Sequence, residues 1–487
     1  MINLRINNFI SIAVFCCFLY RCTPNLRYIK VNPPDSSTVS VTDLQAEAVD
    51  TISAESKSVD SSLIPAEAAP DDIDFSVVLD SATDTSSAVN VITVDTSSPL
   101  FRYPPCKVLN KKVRIALERN VSVASFFAEG KIKLRSAAVA VDFNGKIITR
   151  SSREGKVAVF SSRGNGEILL PCTLISAGPD NLIKVDQLSY RGEIILISEK
   201  SGSFSIVNYI DVEQYLRGVV PLEIGKRPEN LIEALKAQAI AARTYTYKRM
   251  MERRRASFDM TATIQDQVYG GADSEYRESN MAVNMTEDMI MVCEDSLIHA
   301  YYHSTCGGRT ANIEDVWDKP YCSYLRSMSD LDSSGLPYCR ISPRFNWQEQ
   351  WSRRVFFDQI YNNLQKMYPG KDFQGNLKGL VIKEVFACGR IKDCTFSGQR
   401  WLIDIGGDKL RFVIRRDTPE RSILRSANFK IISLGPKDVL ISGTGYGHGI
   451  GMCQMGAIGR AGAGQSFEQI LQAYYTGVRI CKATKHN

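Results

Sequence analysis

The chain has 487 residues, 44% hydrophobic and 23% charged, ordinary globular proportions with room for about two or three domains, and they exclude a fibrous or wholly disordered protein. Its net charge of +6 hides an asymmetry: residues 35–97 hold 13 Asp and Glu against one Lys, residues 1–34 hold four Lys and Arg and no acid, and the remaining body carries +14. A basic body suits an acidic polymer as partner, whether nucleic acid, an anionic membrane surface or an anionic glycan.

Arg5 and the mostly apolar run from Phe9 to Tyr20 are too short to span a bilayer comfortably and read as a secretory leader over residues 1–22, which makes the protein exported, to a periplasm or cell envelope. Cys22 ends the leader and is a candidate lipid anchor, although Arg21 stands where a lipoprotein has a small residue; the other reading is an uncleaved anchor. Residues 23–105 form a Ser-, Thr- and Asp-rich tether, almost without aromatic residues between 31 and 98. Such a stretch buries too little apolar surface to offset the entropy of ordering. Ten cysteines lie beyond the leader, an even number that permits disulfides in an exported chain; a local bridge between Cys388 and Cys394 is the best single expectation.

The folded body is expected over 106–482. Residues 110–210 alternate apolar and polar positions in short runs, such as Lys131-Ile132-Lys133-Leu134, separated by Gly and Asn turns, and are β-rich. The period then changes. Pro228 opens a helix to about Arg255, apolar nearly all round and therefore buried, at the centre of a helical core spanning 211–310. Lys236, Gln238 and Arg243 on it are polar groups that need partners. They either line a cleft, or form a structural salt bridge beside a satisfied Gln. A helix near 274–286 leads into strands at Met289 to Cys293 and Leu297 to His303. Residues 311–482 are mixed: loop-like to about 350, with strands to about Ile441 and helices at Met452 to Arg460 and Ser466 to Tyr475. The fold class is α+β, a β-rich region packed beside a helical catalytic core and preceded by a disordered tether.

Two of the four His lie in polar loops with Gly neighbours. Tyr302-His303-Ser304-Thr305-Cys306-Gly307-Gly308 is one, and Gly443-Thr-Gly-Tyr446-Gly-His448-Gly-Ile-Gly451 is the other, with five glycines in nine residues, a density that lets backbone approach a ligand closely. A Cys-His nucleophile pair and a His/Cys metal site are both conceivable from these residues, yet neither segment has the paired ligand spacing of a zinc motif, and no metal or other cofactor is expected. Ser304 lacks the glycine frame of a nucleophile elbow, which argues against serine hydrolysis.

Asp211-Val-Glu-Gln-Tyr215-Leu-Arg-Gly218-Val-Val-Pro221-Leu-Glu223, Glu233-Ala-Leu-Lys236-Ala-Gln238-Ala-Ile-Ala-Ala-Arg243-Thr-Tyr245, Gln267-Val-Tyr269, the His303 segment and Gly445-Tyr446-Gly447-His448-Gly449-Ile-Gly451-Met452-Cys-Gln454 together resemble the stage II sporulation protein D family, which includes the amidase enhancers. Order and spacing match from about 110 to 481. The resemblance implies a lytic transglycosylase that acts on peptidoglycan glycan strands denuded of stem peptides, with an N-acetylmuramoyl-L-alanine amidase as candidate partner. Glu223 matches the family's catalytic Glu; its apolar setting in Val219-Val-Pro-Leu-Glu-Ile224 raises its pKa, while a capping role for the helix after Pro228 is the alternative. Lys236 and Arg243 are the candidates to read the free lactyl carboxylate. Gln238, Gln267, Tyr269, His303, Ser304, Tyr446, His448 and Gln454 are the further substrate-binding candidates. Where some relatives carry a zinc-binding Cys and His-Cys cluster before Gln-Val-Tyr, this chain has Gln265 and Asp266, so zinc is not expected there. A non-catalytic amidase enhancer is the alternative function. Nucleic acid is disfavoured by the leader and by the lack of a basic patch interleaved with aromatics.

Overall fold

The computed structural model describes residues 103–485 apart from 109, 153–154, 178–181 and 201; the leader, Cys22 and the tether up to residue 102 lie outside them, while Tyr103 is already buried and Pro105 opens a strand, so the fold begins before the expected end of the tether. The fold is α+β. Strand-period alternation from Lys112 to Asp211 builds the greater part of an 11-stranded sheet, antiparallel throughout except where Met260–Thr261 runs parallel to Lys112–Val121. One face is closed by Val113, Ile115, Phe126, Ile132, Leu134, Leu174, Ile194 and Leu196, all inaccessible to solvent, the outcome expected when every second side chain of a strand turns inward.

At Asp211 the chain leaves the sheet. The Asp211 carboxylate accepts from Glu213 N at 2.9 Å and caps α1 (Val212–Arg217). A single turn, α2 (Val220–Glu223), carries Pro221 in its first turn, where a missing N–H costs nothing. Gly218, between the two helices, touches the Tyr269 ring and the Gly271 carbonyl so closely that a Cβ would lie 2.6 Å from each. That contact clamps the start of α2 to the segment carrying Gln267 and Tyr269.

The long apolar segment after Pro228 is a 3₁₀ turn (Glu229–Leu231) continuing into α3 (Ile232–Glu252). It is buried from Ala237 to Thr244 without a break, because α4 (Arg277–Met285), the strand Met289–Cys293, α6 (Gln454–Gly462) and α7 (Phe467–Tyr474) pack around it. A 15-residue helix, α5 (Arg353–Met367), opens from Ser352, whose hydroxyl accepts from Val355 N. The spacing of residues 311–441 did not reveal it. This helix and two three-stranded sheets enclose a second apolar core, centred on Trp351, Phe356, Ile360, Phe396 and Ile441. The chain then returns to the first core through the glycine loop.

The disulfide falls elsewhere than expected. Cys388 belongs to the first core and Cys394 to the second, so the two thiols turn toward different interiors and both are free. The bridge joins Cys106 to Cys481, on the neighbouring parallel strands Pro105–Val108 and Arg479–Lys485, across 375 residues of sequence. Closing so long a loop removes much of the entropy of the unfolded chain. Under oxidising conditions Cys106→Ser is expected to cost about 2–5 kcal/mol by denaturant unfolding, and a reductant should bring the wild type to the level of the variant; equal stability of the two in oxidising buffer refutes this.

Candidate active site

Glu223 ends α2, and its carboxyl group is held from two sides. Val268 N donates to Oε1 at 2.7 Å, and the Gln454 side chain, from the first turn of α6, donates as well. Both donors are uncharged. Dense burial pushes the acid up to about 7 against these two hydrogen bonds, which pull it down; desolvation disfavours the carboxylate more than the neutral donors stabilise it. Glu223 nevertheless keeps part of its surface open to solvent. Its carboxyl group thus sits where a proton can be exchanged near neutral pH and where solvent reaches it.

Two tyrosines form a neutral wall beside it. Burial, and next the charge of Glu223, hold the hydroxyls of Tyr215 and Tyr302 well above their usual range. Behind them Gln267 is a buried brace: its Oε1 accepts from Tyr215 Oη at 3.1 Å, and its Nε2 donates to Tyr302 Oη at 2.9 Å and to the Ala242 carbonyl at 3.3 Å. Tyr269, also buried, donates to Asn208 Oδ1 at 3.0 Å and packs its ring on Tyr215 and Tyr190. Both residues belong to the support of the site rather than to its open face.

The polar face of α3 divides. Gln238 is buried and accepts from Gln454 Nε2 at 3.4 Å, so it stands behind the residue that touches Glu223. Lys236 pairs with Glu233 at 2.6 Å, whose other oxygen accepts from Phe467 N. Arg243 makes a bidentate pair with Glu213 (2.7 and 2.6 Å) and donates to the Met289 and Val283 carbonyls. It is fully buried, with its charge neutralised and its donors spent, so the structural reading of this arginine holds and its guanidinium does not meet a lactyl carboxylate.

The glycine loop lies against the His303 segment. Tyr302–His303 pairs in parallel with Met452–Cys453, and Thr305 exchanges both backbone hydrogen bonds with Tyr446. Gly445 has φ +78° and stands so near the Thr305 carbonyl that a Cβ would lie 2.7 Å from it; glycine alone satisfies both constraints without strain. His448 is spent within this junction. Its Nδ1 accepts from Ile450 N at 3.1 Å, so the proton is on Nε2, which donates to the Tyr302 carbonyl at 3.0 Å. Burial pushes it down to about 4. His303 donates through Nδ1 to the Ile450 carbonyl at 3.1 Å, and its buried Nε2 has no partner. Tyr446 stacks beneath Arg344, and Ser304 Oγ meets Thr305 Oγ1 at 3.3 Å.

A profile of the family described as Stage II sporulation protein matches residues 200–293, and Stage II sporulation protein D of Bacillus amyloliquefaciens is 31% identical over 300 residues, 58% of this chain and 78% of that one. The chain belongs to the stage II sporulation protein D family. Another member-like relative, an uncharacterized protein of Brachyspira hyodysenteriae, is 30% identical over 301 residues, 62% of this chain and 74% of that protein. The Amidase enhancer of Bacillus subtilis is 29% identical over 302 residues, but the chain spans only 40% of it. The zinc position of some family members does not suit a metal here. Asp266, which stands in that segment, is consumed by Arg249, Arg253 and Thr261, with neither Cys nor His beside it in sequence.

One cluster escaped the reading of the sequence. Cys306, Asp330, Cys339 and Cys453 converge in the interior, although no short spacing links them and Asp330 and Cys339 lie in a loop with no motif.

Two measurements follow from this geometry. Arg243→Gln leaves the Glu213 carboxylate half-buried without its partner and is expected to destabilise by about 3–5 kcal/mol in urea unfolding; a variant of unchanged stability returns Arg243 to the cleft. For Glu223, the folded value near 7 lies above the ordinary 4.5, so the stability the group lends is full below pH 4.5 and is lost as pH rises to 7. Unfolding of Glu223→Gln and wild type across pH 4 to 8 should show the variant gaining relative stability over that window, and a constant difference contradicts the raised pKa.

Proposed function

We propose that, within the peptidoglycan-directed role of its family, this protein is a lytic transglycosylase that cuts glycan strands between N-acetylmuramic acid and N-acetylglucosamine and leaves anhydro-muramic ends. The observation that carries the reading is a single carboxyl group, Glu223, largely buried but still reached by solvent, and poised near pH 7 between neutral donors. As acid it gives its proton to the glycosidic oxygen. As base it then accepts the proton of the muramic C6 hydroxyl, whose oxygen attacks the anomeric carbon. No water is activated, so the second carboxylate of an ordinary glycosidase is dispensable.

The neutral surroundings suit both steps. Val268 N–H fixes one carboxyl oxygen, and the Gln454 amide stabilises the carboxylate formed after the first step without the full charge that would drain the acid of its proton. Tyr215 and Tyr302 stay protonated and contribute hydroxyls, not charge. A preference for denuded strands would rest on the basic body as a whole, since Lys236 and Arg243 are occupied by Glu233 and Glu213. Export to the cell envelope fits this substrate, and among the described residues no helix is long and apolar enough to cross a membrane.

The second reading is a non-catalytic amidase enhancer. The relative of that name favours it, as does the consumption of both His448 ring nitrogens by backbone groups. Digestion of amidase-treated peptidoglycan with mass analysis of the products separates the two. Wild type is expected to generate anhydro-muramic ends, with a rate that falls above about pH 7 as the acid is lost, and Glu223→Gln to lower the rate at least about a hundredfold while still sedimenting with the strands. No anhydro-muramic product from either protein, together with stimulation of an amidase by both, sinks the enzymatic reading.

A further inference from the structure

Three thiols and one carboxylate meet in the interior beneath the glycine loop. The ligand atoms of Cys306, Asp330, Cys339 and Cys453 all lie within 4.8 Å of one another, and all four residues are buried. Cys306 Sγ is 3.5 Å from Cys339 Sγ and 3.3 Å from Asp330 Oδ2. Thiolates bound to one tetrahedral zinc stand about 3.8 Å apart, given Zn–S bonds of about 2.3 Å. We propose that these four side chains bind one zinc ion, as a structural site that locks the glycine loop to the His303 segment.

The surroundings are those of metal-bound sulfur. Backbone N–H groups point at two of the thiols: Cys306 N and Gly456 N at Cys453 Sγ (3.1 and 3.3 Å), and Gly308 N at Cys306 Sγ (3.3 Å). Such donors favour the charged form that ligates a metal, and they orient it. Asp330 is aimed in the same way. Its Oδ1 accepts from Tyr474 Oη at 2.8 Å and from Arg460 Nε at 3.1 Å, which leaves Oδ2 toward the sulfurs.

Charge supplies an independent argument. Zinc with three thiolates and one carboxylate carries a net charge of −2, with three protons released as the thiols ligate. Two buried guanidinium groups stand by. Arg460 is paired with Asp330; Arg390, in the chain between Cys388 of the first core and Ile391 of the second, donates through Nη2 to the Cys306 carbonyl at 3.5 Å, and its buried Nε and Nη1 have no partner. A dianionic centre beside it would compensate a charge that is otherwise costly to bury.

Sulfur-rich donors with one oxygen suit zinc among the common divalent ions. With four protein ligands the site has no open position, so the ion holds structure and does not meet substrate. Cys453 precedes Gln454, and the ion would thereby fix the residue that donates to Glu223. A disulfide is the competing chemistry. Between any two of these thiols it would strand the third thiol and the inward oxygen of Asp330.

The test is independent of strand cleavage. The full chain is exported into an oxidising compartment, purified without chelator and analysed for metal by plasma mass spectrometry. One zinc per chain is expected, falling at least about tenfold in Cys453→Ser and in Asp330→Asn. Where those variants fail to fold, wild type is stripped of metal and refilled with cobalt(II), and the thiolate-to-cobalt absorption of a tetrahedral site is expected at one equivalent. Metal-free protein that takes up no cobalt overturns the proposal. So does a peptide map showing Cys306, Cys339 or Cys453 joined to one another.

Discussion

Under the proposed function, a carboxyl group that both gives and takes a proton near neutral pH is shielded from water without being handed a cation, and that constraint accounts for the architecture around Glu223. An arginine beside it would fix it as a carboxylate; free access of water would do nearly the same. The fold instead supplies one backbone N–H, one amide side chain and two tyrosines. The charges that a buried helix such as α3 brings with it are cancelled at a distance, Arg243 by Glu213 and Lys236 by Glu233. The two basic residues of α3 on this side are thus paired before either can reach the acid.

Each piece of that environment comes from a different stretch of chain. Glu223 rides on a single turn pinned through Gly218 to the segment that offers Val268, and Gln454 arrives more than two hundred residues later at the start of α6. The meeting depends on backbone packed against backbone. Glycines at 445, 447, 449 and 451 all adopt positive φ, and at 445 and 451 a side chain would collide with the Thr305 and Tyr301 carbonyls. A loop this lean can lie flat on its neighbour.

Much of this was legible in the sequence, because it is periodic or punctuated. The alternation of residues 110–210 and the apolar run after Pro228 translate directly into sheet and buried helix, whereas Glu223 is singled out by its match to the family's motif, its apolar neighbours adding only the direction of its pKa. What stayed hidden are facts of three-dimensional pairing. Nothing along the chain says that Arg243 faces Glu213, thirty residues away, rather than open space. His448 looks available from its glycine frame, yet the backbone of the same junction takes both ring nitrogens. Cys388 and Cys394 are near in sequence but look into separate cores, whereas Cys306, Cys339 and Cys453 meet although their separations match no ligand motif. Sequence spacing reports contacts within an element, and these contacts are between elements.

The bridge between Cys106 and Cys481 has a mechanical meaning. The strand by which the chain enters the described fold lies parallel to the strand by which it leaves, and a covalent bond joins them. A pull along the polypeptide before Pro105 loads two parallel strands lengthwise, so that their hydrogen bonds resist together, and passes through the sulfur–sulfur link to the strand Arg479–Lys485. Such a load bypasses the large sheet and the residues around Glu223.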